Sequence, residues 1–337
     1  MRPKNIIILA LFVSLIYSCT AKEEHVVKVS KRQILVNNAP YLIKGVCYHP
    51  VPKGSPNKRS FNNLKEDILL MKEAGINTIR VYTPIEEVEV LDQLAENDIK
   101  VIIGFGYDQK GYYDMVSGSF IQYVNKYKNH KAILMWELGN EYNYHPEWFN
   151  GDLNNWYKAL NDAAELIHLK DPNHPVTTAH GDLPDSVALK YSPNIDVWGL
   201  NVYRWDIPGS IYKEWEAISD KPMYLSEAGG DSYMTIAKEG YEQGENQKAQ
   251  ADANANILKE IFENNKIGSG VTLFSFTDGW WKAGSYDKQD PGGWAPNSSG
   301  VPYDGSPNEE YWGIVDIDRN KKQTFDVVKK AFTNVKK

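Results

Sequence analysis

The sequence predicts a single α/β domain, a (β/α)8 barrel with an N-terminal β-hairpin before it and a long loop after its eighth strand. Short apolar runs alternate with amphipathic segments over most of the chain, and eight of these runs have the length of buried strands. No low-complexity linker or run of charge divides the 337 residues. Regular alternation of strand and helix is typical of a parallel sheet, and eight repeats favour closure into a barrel.

The hairpin is predicted at residues 34–46, where an Asn-Asn-Ala-Pro turn separates two apolar runs. Its second arm leads into the first barrel strand. The eight predicted barrel strands are residues 41–46, 76–82, 100–106, 132–138, 175–180, 195–203, 222–229 and 270–276. Helical spacing of apolar residues predicts helices at residues 61–75, 85–98, 120–130, 153–171, 245–265 and 324–335.

The N-terminus has the pattern of a signal peptide. Arg2 and Lys4 precede an apolar run at residues 6–16 that is too short to span a bilayer. The ending Ile-Tyr-Ser-Cys resembles the lipobox of bacterial lipoproteins, which implies a lipidated Cys19, whereas an ordinary secretory signal is the alternative. The Lys-Glu-Glu that follows resembles a surface-export signal.

These features predict three segments: a lipoprotein signal peptide at residues 1–18, a linker at 19–30 and the catalytic barrel at 31–337. The expected location is the cell envelope, with a lipid anchor in the outer membrane or at the cell surface. A secreted or periplasmic protein is the alternative. The anchor is the only membrane contact that the sequence predicts.

Composition and motifs exclude several functions. A net charge of −7 argues against nucleic acid as a partner, because phosphate binding needs a basic face. The seven His residues form no His-Glu-x-x-His motif, and the sequence has no cysteine cluster or calcium loop, so no metal site is predicted. No dinucleotide-binding glycine motif and no Gly-x-Ser-x-Gly is present, so neither a cofactor nor a serine hydrolase is expected.

Two glutamates follow predicted strands on opposite sides of the barrel. Glu141 follows strand four and Glu227 lies at the end of strand seven. Active sites of (β/α)8 barrels are built at the C-terminal ends of the strands, so the two carboxylates are expected to face each other across the barrel mouth. Retaining glycoside hydrolysis needs two carboxyl groups about 5 Å apart, one as nucleophile and one as acid/base. Solvated loop residues are the alternative for either glutamate alone.

The segments around these glutamates resemble a known group of enzymes. "WELGNE" resembles the strand-four motif of glycoside hydrolase clan A, and "DVWGLNVY" and "PMYLSEAGG" resemble strands six and seven of family 2 glycoside hydrolases. "YLIKGVCYHP" with "INTIRVY" is also similar to the family 72 β-1,3-glucanosyltransferases. The resemblance extends from about residue 34 to the C-terminus. It implies a carbohydrate-cleaving barrel.

The resemblance also implies a role for each matching residue. Glu141 would be the general acid/base and Glu227 the nucleophile. Asn140 would bind the sugar 2-hydroxyl, an interaction that strengthens in the transition state. Arg80 and Tyr203 would donate hydrogen bonds to Glu227. A structural ion pair is the alternative for Arg80, and a packed wall is the alternative for Tyr203.

Further candidates for sugar binding come from their position at strand ends or in the long loop. Tyr82, His49 and His180 follow strands two, one and five, although a lone histidine is more often structural. Trp280 and Trp281 begin the loop after strand eight, which also contains Trp294 and Trp312. Because indole rings stack on sugar faces, Trp280 or Trp281 is expected beneath the cleaved residue. A packed lid is the alternative for the loop.

The sequence therefore predicts a lipid-anchored, retaining β-glycosidase that acts on extracellular polysaccharide or oligosaccharide and needs no cofactor. β-Glucan, especially β-1,3-linked, is favoured by the family 72 similarity, and β-galactoside or β-mannan chains are the alternatives. A β-glucan transglycosylase, an inverting hydrolase and a non-catalytic surface glycan-binding lipoprotein remain open. The pair Glu141 and Glu227 argues against a binding protein, which needs neither carboxylate.

Overall fold

The computed structural model describes residues 25–107, 113–204, 206–291 and 308–335. The strands in chain order are β1 (Val27–Ser30), β2 (Gln33–Val36), β3 (Ala39–Tyr41), β4 (Ile43–Cys47), β5 (Thr78–Val81), β6 (Lys100–Phe105), β7 (Ile133–Asn140), β8 (Val176–Gly181), β9 (Val197–Asn201), β10 (Met223–Glu227), β11 (Tyr233–Met234), β12 (Gly244–Glu245) and β13 (Gly268–Leu273). The α-helices are α1 (Leu64–Glu73), α2 (Val88–Glu96), α3 (Ile121–Tyr127), α4 (Leu153–Lys170), α5 (Ser186–Tyr191), α6 (Ser210–Ile218), α7 (Gln247–Glu263) and α8 (Gln323–Asn334).

Eight parallel strands close into a barrel, which confirms the predicted fold class. The barrel strands are β4 to β10 in sequence order, followed by β13, which pairs with both β10 and β4. Apolar residues on the outer face of the barrel pack against the helices in one large core. All eight predicted strands and six predicted helices match the observed elements within a few residues.

Two helices were not predicted from the sequence. No helix was predicted after the fifth and sixth barrel strands, where the structure has α5 and α6. α5 has six residues and buries only Ala188, so it shows little hydrophobic periodicity. α6, in contrast, buries one apolar face through Ile211, Tyr212 and Trp215.

The N-terminal segment forms a three-stranded antiparallel sheet, β1-β2-β3, rather than a hairpin alone. Residues 27–30 were predicted to be linker, but they pair with β2 along their whole length, which corrects that boundary. The predicted turn is present at Asn37 and Asn38, both with positive φ, the conformation that two-residue hairpin loops require. Cys19 and the predicted signal peptide lie outside the described residues.

The sheet covers the end of the barrel opposite the functional strand ends. Val27 and Ile34 from the sheet pack against inward-facing residues of the barrel strands, among them Ile43, Met135 and Tyr224. This apolar cluster lies toward the N-terminal ends of the strands, whereas the charged side chains of Arg80 and Glu227 lie at the C-terminal ends. Within the described ranges, none of the helices combines the length and the apolar composition that a membrane span requires.

Buried polar groups hold together the described part of the long segment between β13 and α8. Lys322 donates to Asp278 Oδ1 at 3.0 Å, and both side chains are buried. Asp278 also accepts a hydrogen bond from the backbone of Gly313. The segment contacts the barrel where the backbone N–H of Phe276 donates to the carbonyl of Cys47 on β4 at 3.0 Å. Trp294 lies outside the described residues.

Barrel closure depends on a glycine in the last strand. Gly270 has φ of +114°, and a Cβ there would lie 2.0 Å from the carbonyl oxygen of Ile43 on β4. We expect Gly270→Ala to lower the free energy of unfolding by about 2–4 kcal/mol, because it forces β13 away from β4 and strains the backbone. Gly240→Ala is the matched control, since Gly240 also has positive φ but open space around it. It should cost about 1 kcal/mol. Urea unfolding measures both, and equal losses would contradict this role for Gly270.

Candidate active site

A bulge at the end of β7 turns Asn140 toward the barrel mouth. Strict alternation from the inward-facing Glu137 would point Asn140 outward, toward the helices. However, Glu137 pairs with Thr177 and Asn140 pairs with Ala179, so three steps on β7 oppose two on β8. The extra residue reverses the side-chain direction at Asn140. Asn140 thus faces the barrel mouth only because of this register shift.

Two residues at the end of β7 have positive φ, a backbone conformation that most residues avoid. Gly139 has φ of +73°, and a Cβ there would lie 2.6 Å from the ring of Trp156 on α4. Glu141 has φ of 56° and ψ of 24°, in the left-handed region where non-glycine residues are uncommon. Its backbone N–H donates to the carbonyl of Ala179 at 2.8 Å, which anchors the turn to β8. Residues held in such conformations concentrate at functional sites.

A second bulge places Glu227. Leu225 pairs with Leu200 and Glu227 pairs with Asn201, so two steps on β10 oppose one on β9. Leu225 packs in the outer core, whereas Glu227 points inward beside Asn201. The two bulges bring polar side chains from opposite sides of the barrel to one point.

Arg80 occupies that point. It is fully buried, and its Nη1 donates to Glu227 Oε1 at 2.7 Å. Its Nε donates to Glu137 Oε2 at 2.8 Å, and its Nη2 donates to Asn140 Oδ1 at 2.8 Å. One guanidinium therefore joins side chains from β7 and β10 to β5. Glu137, within β7, therefore serves as a buried partner of Arg80.

Glu227 accepts two further hydrogen bonds. Tyr82 donates to Oε1 and Tyr203 donates to Oε2, both at 2.7 Å. The ring of Tyr203 packs edge-on against Trp312, 5.4 Å away between centroids. Three donors, one of them charged, thus stabilise negative charge on Glu227 and fix its orientation.

The side-chain amide of Asn140 has a defined orientation. Its Oδ1 accepts from Arg80 and from Asn201 Nδ2 at 3.1 Å. A guanidinium has only donors, so the amide oxygen must face Arg80 and the NH2 group must face away. Among the described residues no acceptor contacts this NH2 group. Asn140 therefore presents a donor at the mouth.

Glu141 differs electrostatically from Glu227. Burial, together with the negative charge of Glu227, raises the pKa of Glu141 to about 7. Asn201, Arg80 and Lys282 act in the opposite direction and are weaker. The site therefore combines one carboxyl group that accepts three hydrogen bonds with a second whose pKa is raised to about 7. Such a pair can combine nucleophilic attack with proton transfer.

Aromatic rings form the wall next to Tyr82. The His49 ring lies 6.3 Å from Tyr82 and 5.1 Å from Trp281 between centroids. His49 shares a 2.7 Å hydrogen bond with Asn57, and burial lowers the pKa of His49 to about 4, so the ring is neutral. Lys53 lies over Trp280, 4.3 Å from the ring centroid. The sequence left open which of the two tryptophans lies beneath the cleaved sugar. Trp281 contacts His49, which contacts Tyr82, and Tyr82 donates to Glu227. Trp280 contacts Lys53 instead.

The structure does not bring His180 into the site, which corrects the prediction that it lines a sugar-binding subsite. Along β8 the residues that face inward include Thr177 and Ala179, so His180 points outward. It is buried, its ring lies on Tyr157, and its Nε2 is 3.2 Å from that hydroxyl. His180 is a structural residue between the barrel and α4.

Sequence reasoning missed several residues that hold the site together. Asn201 bridges Asn140 and Ser226, accepting from the Ser226 hydroxyl at 2.7 Å. It lies inside the quoted strand-six segment, where an inward-facing amide next to a strand end was a usable signal. Cys47 lies beside Arg80, and burial raises the pKa of this thiol to about 12, so it adds no negative charge. Within the described part of the chain, no cluster of His, Cys, Asp and Glu is suited to a metal ion.

Comparison with known sequences gives a family match over this region. A family model described as glycosyl hydrolases family 2, TIM barrel domain, matches residues 27–245, which include both Glu141 and Glu227. The β-glucuronidase of Homo sapiens is 26% identical over 228 residues, covering 61% of this chain and 33% of its own length. A β-galactosidase of Alteromonas mediterranea is 24% identical over 220 residues, covering 60% and 20%. The chain thus spans a third or less of these curated relatives.

Comparison with solved structures supports the same fold. A β-galacturonidase from Eisenbergiella tayi, bound to galacturonate, superposes with a TM-score of 0.67 at 21% identity, covering 93% of this chain and 54% of that chain. A β-glucuronidase from Faecalibacterium prausnitzii gives 0.68 at 20% identity, covering 93% and 52%. This chain therefore corresponds to about half of each of these larger proteins.

The coupling between the two glutamates can be measured. We expect Glu141 to titrate with a pKa of about 7 and to lose its proton as pH rises through that value. In Glu227→Gln the neighbouring charge is removed, so the charged form of Glu141 is favoured and its pKa falls. Carbon-13 NMR of labelled glutamate side chains, assigned with Glu141→Gln, measures the change.

Glu310 is the internal control, because its pKa is also about 7 but is raised by burial and by Asp290 and Asp278. Its titration should be unaltered by Glu227→Gln. A Glu141 pKa that stays the same in this variant would contradict the coupling.

Proposed function

The chain belongs to glycosyl hydrolase family 2, and from that premise we propose that it is a retaining β-glycosidase that works by double displacement. One observation carries the proposal: Glu227 accepts hydrogen bonds from Arg80, Tyr82 and Tyr203, while the pKa of the nearby Glu141 is raised to about 7. The environments of the two carboxyl groups thus divide the roles of nucleophile and acid between them.

In the first step a carboxylate oxygen of Glu227 attacks the anomeric carbon of the sugar. The bond from that carbon to the leaving oxygen breaks, and Glu141 gives its proton to this oxygen. The products are a glycosyl ester on Glu227 and a free alcohol. The Asn140 NH2 group is placed to donate to the sugar 2-hydroxyl, where a stronger bond in the transition state lowers the barrier.

In the second step Glu141, now ionised, accepts a proton from water, whose oxygen attacks the anomeric carbon and releases Glu227. Two inversions give retention of the β-configuration. If a sugar hydroxyl attacks in place of water, the same proton and electron movements give transglycosylation. We propose transglycosylation as a variant of the hydrolytic activity.

For the substrate we propose β-glucan, especially β-1,3-linked, on the strength of the family 72 similarity and the aromatic wall. β-Galactoside and β-mannan chains are alternatives. β-Uronides are a second candidate, because Lys53 lies over the ring of Trp280, 4.3 Å from its centroid. A cation beside the expected sugar platform would favour a carboxylate on the sugar. Lys282, which lies near Trp281, is already paired with Glu309 at 2.6 Å. The names of the relatives, which include β-glucuronidases, support this candidate.

A surface glycan-binding lipoprotein is the alternative from another class, and an inverting hydrolase is the alternative in mechanism. A binding protein needs no carboxyl group with a pKa near 7 beside a second, ionised one. Retention and inversion differ in the configuration of the first product, which proton NMR of the anomeric signal distinguishes.

For location we propose a lipid anchor at Cys19, supported by the lipobox resemblance. The expected site is the outer membrane or the cell surface. Palmitate labelling of cells expressing the protein should label the wild type and fail with Cys19→Ser. Equal labelling would overturn the proposal.

The activity is tested with a panel of β-glucans, galactans and mannans together with aryl β-glucosides, galactosides, mannosides, glucuronides and galacturonides. We expect the wild type to cleave one class, and Glu227→Gln to lose about 10³-fold or more in kcat/KM because the nucleophile is absent.

Glu165→Gln is the matched control, since Glu165 is exposed on α4. It should leave the rate unchanged within about twofold. If the wild type cleaves nothing and both it and Glu227→Gln bind one polymer equally, the binding-lipoprotein alternative is supported instead.

A further inference from the structure

An exposed aromatic surface lies directly after the catalytic acid. The chain beyond Glu141 forms two short 3-10 helices, Tyr142–Tyr144 and Pro146–Phe149. They present Tyr144, 56% exposed, and Trp148, 51% exposed. These two residues are here called the aromatic rim. Large aromatic side chains exposed beside a cleft are typical of binding surfaces.

Trp148 is held rigidly although it is exposed. His145 stacks on it with centroids 3.9 Å apart and an interplanar angle of 6°. His145 is fixed in turn by Glu147, whose Oε1 lies 2.8 Å from Nδ1. Tyr142 contacts the indole edge-on at 5.3 Å. A ring fixed in this way loses little conformational entropy when a ligand binds it.

Tyr144 lies over the end of the neighbouring strand. A Cβ at Gly181 would be 2.2 Å from its ring, so the lack of a side chain there makes room for the phenol. Burial, together with the charges of Glu141 and Asp182, raises the pKa of Tyr144 to about 12, so the hydroxyl stays protonated. It is therefore available as a donor or an acceptor next to Glu141.

Trp148 of the aromatic rim shares a cavity with Glu141. This cavity of about 360 Å³ is lined by Asn140, Glu141, His145 and Trp148, among others, and Tyr144 lies outside its lining. The leaving oxygen must lie within hydrogen-bond reach of Glu141. A leaving group that occupies this cavity would extend from Glu141 toward Trp148.

We propose that the aromatic rim is a binding subsite for a sugar residue on the leaving-group side of the cleaved bond. The inference rests on the proposed function and deepens it. The natural substrate is then an oligosaccharide or polysaccharide rather than the glycoside of a small alcohol. The same rim binds the sugar that replaces water in transglycosylation. Trp148 supplies the apolar stacking face, and Tyr144 supplies a hydroxyl for hydrogen bonds.

The test compares substrates with and without a leaving-group sugar. Wild type, Trp148→Ala and Trp148→Phe are assayed on β-glucosyl fluoride and laminaritriose, and on β-glucuronyl fluoride and a β-glucuronyl disaccharide. Fluoride occupies no leaving-group subsite. We expect Trp148→Ala to keep the rate on the fluoride within about twofold and to lose about tenfold or more in kcat/KM on the oligosaccharide.

Two controls separate binding from folding. Trp148→Phe keeps a flat ring and should recover most of the loss. Tyr286→Ala removes another exposed aromatic side chain, in the loop after β13, and should leave both rates unchanged. The ratio of transfer product to hydrolysis product should fall in Trp148→Ala, a change that a general loss of folded protein would not produce.

An equal loss on fluoride and oligosaccharide, or no loss on either, would overturn the subsite. If the wild type cleaves none of these compounds, the proposed function has failed for the glycones tested. Calorimetric titration with laminaritetraose then decides the subsite separately. Weaker binding to Trp148→Ala by about tenfold or more supports it, and equal or undetectable binding to both proteins overturns it.

Discussion

The site depends on one buried cation. Arg80 lies between two carboxylates, Glu137 and Glu227, and its Nη2 also donates to Asn140 and orients that amide. Without the guanidinium, two buried carboxylates would face each other uncompensated, and breaking a buried pair in this way costs about 3–5 kcal/mol. The group has one positive and two negative charges. Burial and the negative charge of Glu227 raise the pKa of Glu141, whereas Arg80 acts in the opposite direction and is weaker.

The rest of the architecture brings the partners of Arg80 to it. The N-terminal sheet packs on an apolar cluster toward the N-terminal ends of the strands, whereas Arg80 and Glu227 lie at the C-terminal ends. Bulges in β7 and β10 turn Asn140 and Glu227 inward, and the packed segment before α8 supplies Trp312 behind Tyr203. Each of these structural features is local, but together they give Glu141 and Glu227 different environments. A division of labour between acid and nucleophile needs that difference.

Much of the fold was predictable because buried parallel strands have a distinct pattern. Eight apolar runs of strand length gave the barrel, and the two glutamates followed from strand ends. α5 and β1 were missed because each buries a single residue, Ala188 and Val27, and so shows no apolar pattern. The wrong placement of His180 arose because strand-end position was read without the inward and outward alternation. The bulges that re-aim Asn140 and Glu227 depend on register between strands distant in sequence, which a single chain does not encode locally. Trp148, which belongs to the proposed subsite, was not singled out because it lies in a short segment between β7 and α4 rather than in the long loop after β13.

The central claim is that Glu227 forms a covalent bond to the sugar. The most direct test is incubation with the 2-deoxy-2-fluoro-β-glycosyl fluoride of the sugar that the enzyme cleaves, followed by peptide mass spectrometry. The electron-withdrawing fluorine slows the second step more than the first once the good leaving group is present, so the glycosyl ester accumulates. The account predicts one added sugar on the peptide that contains Glu227. Turnover of an ordinary substrate with no adduct from the fluoro sugar, or an adduct on another residue, would contradict it.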